Sequence, residues 1–419
     1  MSEPHTYTLD AMLGRLSQGD DAYDADHYNG SRVCPDSRCN RMRERFDDIV
    51  IGTGIAGLET ARLLQGAGRS VCIIESAAMI GTGATTHNEG WLHAGTYHAG
   101  AIPDRCEAIK VGRLCKYGFD RIVEMYPQSI SPTNARTYAI IRDDSAVDET
   151  TSRWAEAGVK FDPVSLSTVL EQNAELNFAG NEVAFRVSDL AISTPELMKL
   201  IYREIQRQNC CSPITFAMAA KIVALDPSSH RVQVVHKGEM REFRAENIIY
   251  AAGVGNRELA ARFLDRPDLI RLFRGHIVIM SKLTIDQFVV MDKGSPTWMN
   301  HAKYSVIGMT RMSEEVTTED YSINRETADN IVASVQSMIL QPVEVHLTYS
   351  CLKPTITDGQ YQSLAPSLLE PEKGNYLLLP GKMTEAPVIC EALLDKILNR
   401  QLHVPIAVRP VDELAKAAG

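Results

Sequence analysis

The chain has 419 residues, a net charge of −10, and 44% hydrophobic against 23% charged residues. At about 150 residues per domain this is enough for two or three domains and a core large enough to enclose a ligand. The excess of acid excludes the diffuse basic surface that nucleic acid binding needs, and no run of roughly 18 apolar residues is present to span a bilayer.

Residues 1–44 are polar, rich in Asp, Ser, Arg and Asn, and lack a sustained apolar period, which predicts an extension that is partly disordered or draped over the surface. The opening stretch MSEPHTYTLDAMLGRLSQGDD has no basic segment followed by an apolar one, so a cytoplasmic setting is expected. Nine cysteines without framework spacing read as reduced thiols. Cys34 and Cys39 lack a second Cys/His pair at zinc spacing, so no metal is expected there.

From Phe46 the texture changes. FDDIVIGTGIAGLETARLLQGAGRSVCIIES reads as a short apolar strand, a glycine turn, an amphipathic helix, a break and a second apolar strand: a βαβ unit. From about Thr137 to Phe185 the pattern is shorter and alternating; then STPELMKLIYREIQRQ returns as a helix, with Thr194 ahead of Pro195 at its start. KIVALD, RVQVVHKG and EFRAENIIYAAG predict a strand, a hairpin and a returning buried strand. LFRGHIVIM opens a second mixed stretch lasting to about Tyr349, and NYLLLPG with TEAPVICEALLDKIL closes the chain as strand then helix. The alternation predicts an α/β fold: a Rossmann-like cofactor domain in three pieces (45–136, 187–272 and 350–419), with a mixed α+β substrate domain inserted as 137–186 and 273–349.

Gly52-Thr53-Gly54-Ile55-Ala56-Gly57 is G-x-G-x-x-G between a strand and a helix, and Glu75 closes the second strand 18 residues after Gly57. Gly52 permits the tight turn, Gly54 lets the backbone approach a pyrophosphate, Gly57 allows helix and strand to pack closely, and the helix N-terminus offers N–H groups and a positive dipole end. An acid at Glu75 accepts hydrogen bonds from a ribose and disfavours a 2′-phosphate, which leaves NAD or FAD. The polar, glycine-rich segment that follows, SAAMIGTGATTHNEGWLHAGTYHAG, is too irregular for a further Rossmann repeat and suits the lining of a long extended ligand.

These residues resemble the FAD-dependent oxidoreductases of the D-amino-acid oxidase superfamily, which includes glycine oxidase, sarcosine oxidase and L-2-hydroxyglutarate dehydrogenase. The stretch from Thr86 through His87, Asn88, Glu89, Gly90, Trp91, Leu92, His93, Ala94, Gly95 and Thr96 to Tyr97 is similar to H-N-S-G-V-I-H-A-G-I-Y of the hydroxyglutarate branch, with Glu89 for serine and Trp91 for valine. Ile248 to Val254, with Gly253 at its turn, resembles the strand and glycine turn near the ADP half of the cofactor, and Arg274-Gly275-His276 the start of a substrate-domain strand. Cys351 to Gly359 is similar to G-L-R-P-x-T-x-D-G, with Lys353 where those enzymes place an arginine that grips the substrate carboxylate. A lysine keeps the charge and loses the bidentate fork. Gly381, Lys382, Met383 and Thr384 resemble the final motif, where a helix N-terminus faces the isoalloxazine ring.

The resemblance implies FAD as cofactor and oxidation of a small 2-hydroxy, 2-amino or secondary amino acid, with oxygen or a quinone taking the electrons and the oligomeric state left open. His93 is then the general base for an alcohol proton, or else a structural histidine bonded to a carbonyl. Lys353 anchors the carboxylate; Lys353 and Lys382 are candidate cations for the negative charge of reduced flavin. Thr86, His87 and Asn88 fall in the cofactor shell, and Tyr97 and His276 on the substrate side. Cys351 stands where sarcosine-oxidase-like members attach flavin through sulfur, the alternative being an inert buried thiol. Two other functions share the fingerprint. A flavin monooxygenase of the aromatic hydroxylase type would bring a late Gly-Asp motif, whereas the one Gly-Asp pair, Gly19-Asp20, lies in the extension. A non-catalytic flavin-binding protein is opposed by the retention of His93, Lys353 and Thr384 together.

Overall fold

The computed structural model describes residues 44–401 and 408–410, apart from 134, 209–211, 213, 292–294, 310–312 and 357–364. The expected N-terminal extension through residue 43, with Cys34 and Cys39, lies outside the described residues, as do Asp358 and Gly359.

Two large sheets share the chain in alternation. The first has seven strands in the order Val408–Pro410, Ser367–Glu372, Asn375–Leu379, Asn247–Tyr250, Asp48–Ile51, Val71–Ile74 and Ile214–Ala217. Five run parallel in unbroken succession from Asn375–Leu379 to Ile214–Ala217. Parallel strands need both faces covered, and these are continuous apolar runs, buried at every position of Asp48–Ile51 and Val71–Ile74. Alternation divides them between two cores. Val50, Ile73, Ile249 and Leu378 pack with helices Ile55–Gly66, Arg105–Met125, Thr194–Gln208 and Ala386–Ile397. Ile49, Ile51, Cys72, Ile74, Ile248 and Tyr250 pack with Val232, Val234 and Phe243 of a three-stranded antiparallel sheet, 220–244. Helices thus cover one face and a small sheet the other.

The second sheet has nine strands drawn from 137–187 and 270–356. It is antiparallel except where Gln287–Val290 pairs with Thr137–Ile141. Its spine is the pair Ile270–Ser281 and Val345–Ile356, in register with Gly275 opposite Cys351 and Phe273 opposite Lys353. Residue 350 falls inside this strand, so the last chain piece leaves the second sheet only after Ile356. Alternation along Val345–Ile356 sends Leu352 and Ile356 into the core under the parallel sheet and Cys351 into a different apolar cluster. One strand therefore touches both layers, and the site lies where it crosses between them. Among the described residues no helix is long and apolar enough to cross a membrane.

Candidate active site

The turn after Asp48–Ile51 is built for backbone contact. Gly52 has φ 108°, and a Cβ there would stand 2.6 Å from the Ala251 carbonyl oxygen. A Cβ on Gly57 would collide with the Gly52 carbonyl, so helix and turn close together only with glycine at both positions. No side chain caps the helix; of its first N–H groups, that of Ile55 donates to Thr85 Oγ1 at 3.1 Å. Glu75 ends the second strand, where one carboxylate oxygen accepts from Thr53 N–H at 2.8 Å and Thr53 Oγ1 at 2.7 Å, and the other from Ala77 N–H at 2.8 Å.

From this turn a cleft of about 730 Å³ runs past Gly253 and the 82–89 segment to Trp91, His93, Cys351, Lys353 and Lys382. Its volume lies within the range of organic-ligand sites. The glycine cradle at one end, where a Cβ on Gly52 would fill the turn, and the polar side chains of His93, Lys353 and Lys382 at the other are what an elongated dinucleotide with a polar reactive end requires. The residues present fit FAD.

His93 is held from three sides. Its backbone N–H donates to Thr384 Oγ1 at 3.1 Å, its ring lies against Trp91 at a tilt of 35° with centroids 4.1 Å apart, and His98 meets it edge-on with centroids 4.7 Å apart. Asp189 fixes the segment: its buried carboxylate accepts from Trp91 Nε1 at 2.9 Å, from Ala94 N–H at 3.1 Å and from the Thr96 hydroxyl. Burial, reinforced by the positive charges of Lys382 and Lys353, holds the His93 imidazole well below the usual histidine range. It is a neutral ring at neutral pH.

Lys353 reaches into the cleft from the crossing strand. Glu89 is the main influence raising its ammonium above the usual lysine range, and burial pulls the other way. Beside it, burial pushes the Cys351 thiol up to about 11 despite the nearby ammonium, so the sulfur is protonated at neutral pH. At the same end of the cleft Lys382 Nζ pairs at 3.1 Å with Glu385, whose carboxyl lies behind the lining, fully buried at the start of helix Ala386–Ile397, and accepts from the Cys115 thiol at 3.6 Å. Burial raises that carboxyl to about 7.

The cleft brings together Gly52, Gly54, Ile55, Ala56, Glu75, His87, Asn88, Gly253, Gly381 and Met383 with His93, Cys351, Lys353 and Lys382. Four predicted residues stand just behind it. Gly57 packs on the turn, Thr86 donates to the Gly81 carbonyl at 2.6 Å, Thr384 holds His93, and Tyr97 meets Trp91 edge-on at 5.9 Å. His276 is placed apart. Its neighbour Gly275 shares a face with Cys351, so strand alternation turns His276 away, where Nε2 accepts the Asn324 N–H at 2.9 Å and supports the start of helix Arg325–Gln336. Sequence reasoning did not single out Asp189, His98, Cys115 or Glu385. Glu385 had one local sign, an acid in a first helical turn; Asp189 had none, since its partners lie more than 90 residues away.

The chain matches the family model described as FAD dependent oxidoreductase over residues 47–394. Over 56 residues, 13% of this chain, it is 43% identical to the mitochondrial L-2-hydroxyglutarate dehydrogenase of Arabidopsis thaliana, and the match spans 12% of that relative's length. Glycine oxidase from Geobacillus kaustophilus superposes with TM-score 0.67 at 18% identity, over 87% of this chain and 98% of that one. FAD-bound L-α-glycerophosphate oxidase from Mycoplasma pneumoniae gives TM-score 0.67 at 15% identity, over 88% of this chain and 100% of that one. At these identities what the two structures share with this chain is the fold.

Proposed function

Since the chain belongs to the FAD-dependent oxidoreductase family, we propose that it oxidises a small carboxylic acid bearing a 2-hydroxy, 2-amino or secondary amino group. The supporting observation is a single cleft that joins the fingerprint glycines to a neutral imidazole and a cation, His93 and Lys353. Bound FAD supplies the acceptor for the hydride leaving the substrate carbon. Gly52, Gly54, Ile55 and Ala56 are the residues to hold its diphosphate, Glu75 stands at the ribose position, and His87, Asn88, Gly253, Gly381, Lys382 and Met383 complete the lining. Gly57, Thr86 and Thr384 shape these segments from behind.

Lys353 orients the substrate carboxylate. As a point charge on a flexible stem it fixes position less tightly than a guanidinium fork. His93, uncharged at neutral pH and lining the cleft, takes the O–H proton of a hydroxy acid. Tyr97, edge-on to Trp91, backs the substrate side from behind the cleft, and His276 supports that layer from the far face of the sheet. The Lys382–Glu385 pair places a cation at the same end of the cleft, before a helix N-terminus. Oxygen or a quinone completes the cycle.

The test is anaerobic bleaching of the yellow purified protein by matched 2-hydroxy and 2-amino acids. Lys353→Met should raise KM for the carboxylate substrate about 10- to 100-fold, the cost of a charge-assisted hydrogen bond, and leave a carboxamide analogue nearly unaffected. Bleaching by none of these acids, or equal effects on acid and amide, would remove the carboxylate reading.

A further inference from the structure

We propose that Glu89 is a specificity-determining residue that receives a protonated amine on the substrate opposite Lys353, so that the cleft favours a zwitterionic amino acid over the matching hydroxy acid. This rests on the reading of the cleft as a carboxylate-oxidising site and narrows its substrate class.

The argument starts from sheet register. Gly308 and Tyr349 both stand opposite Ile277, and two residues along the same strand Gly275 stands opposite Cys351, so all five share one sheet face. Lys353, opposite Phe273, continues that face. Its stem passes Gly275, where a Cβ would lie 3.9 Å from Lys353 Cε. The Glu89 carboxylate lies directly on Gly308, where a Cβ would collide with Oε1. Glycines on adjacent strands thus form a floor over which the acid and the ammonium both stand, and both line the cleft.

Among the described residues neither group is closed into an ion pair or a side-chain hydrogen bond, although Glu89 is the strongest electrostatic influence on Lys353. The floor therefore presents one negative and one positive group to whatever enters. A 2-hydroxy carboxylate matches Lys353 and meets repulsion from Glu89. A 2-amino acid, carrying an ammonium next to its carboxylate, satisfies both charges and leaves neither desolvated alone. Discrimination arises as much from the repulsion as from the attraction.

The experiment compares kcat/KM for alanine with lactate, glutamate with 2-hydroxyglutarate, and phenylalanine with phenyllactate, both enantiomers of each, in the wild-type holoenzyme and in Glu89→Gln and Glu89→Ser. The wild type should prefer the amino acid of the best pair, and both variants should lower the amino-to-hydroxy ratio at least tenfold with flavin content and visible spectrum retained. A preference for the hydroxy acid, an unchanged ratio, or an equal loss on both members accompanied by loss of flavin would overturn the role of Glu89 and leave the carboxylate reading standing. Bleaching by neither class would overturn both.

Discussion

The backbone N–H of His93 donates to Thr384 Oγ1 across 291 residues of chain, joining the segment after the first βαβ unit to the turn before the last helix. One bond therefore ties together two segments far apart in the chain at the same end of the cleft. Thr384→Val should cost about 1 kcal/mol of stability, the usual net value of such a bond, and lower kcat severalfold because the ring loses its tether. Thr384→Ser should keep both. Urea unfolding with steady-state kinetics checks this, and a Val variant with wild-type kcat would show that packing against Trp91 alone positions the ring.

His93 is held well below the usual histidine range by burial and two lysines, so its basic form is populated throughout neutral pH. With a hydroxy acid, His93→Ala should lower kcat/KM by about 10²- to 10⁴-fold, the span of general-base catalysis. Wild-type kcat/KM should stay level as pH falls past the ordinary imidazole value of about 6.5, because protonation of this ring is deferred to lower pH. A loss within about tenfold would assign the proton elsewhere.

The sequence made legible what is local. The fingerprint turn, its helix and Glu75 lie within a few dozen residues, and the strand, turn and helix each leave a periodic trace. Lys353 and Thr384 were visible as motif positions, yet their meeting with His93 depends on the pairing of distant strands, the crossing strand for Lys353 and Asn375–Leu379 for Thr384, which no local pattern records. His276 shows the same limit: strand alternation is readable, but which face meets the cleft is decided by the pairing of Gly275 with Cys351. Asp189 looks like any loop acid, and only the fold gathers Trp91, Ala94 and Thr96 around it.

Cys351 bears on how FAD is held. Its thiol is pushed up to about 11 by burial, against the pull of Lys353, and a protonated thiol is a poor nucleophile at neutral pH. FAD is expected to be held without a covalent bond. Acid precipitation should leave the yellow colour in the supernatant, and Cys351→Ser should retain flavin content; colour remaining in the pellet of the wild type and leaving that of the variant would establish attachment through this sulfur.

Glu385 should make stability depend on pH in the sense opposite to a surface carboxylate. Burial raises its carboxyl from an ordinary 4.5 to about 7, so the folded protein binds this proton more tightly than the unfolded chain does. The contribution is fully present below the unfolded value and is lost as pH rises through the folded one. Lys382 at 3.1 Å and the Cys115 thiol at 3.6 Å offset part of the burial, and the shift sets a ceiling of about 3 kcal/mol. Urea unfolding of the wild type and Glu385→Gln between about pH 4.5 and about pH 8 isolates the term, since groups common to both cancel in the difference. The wild type should lose stability relative to the Gln variant as pH rises across that interval. A difference that stays constant, or that grows in favour of the wild type, would mean that the ion pair with Lys382 outweighs burial and keeps the carboxylate charged.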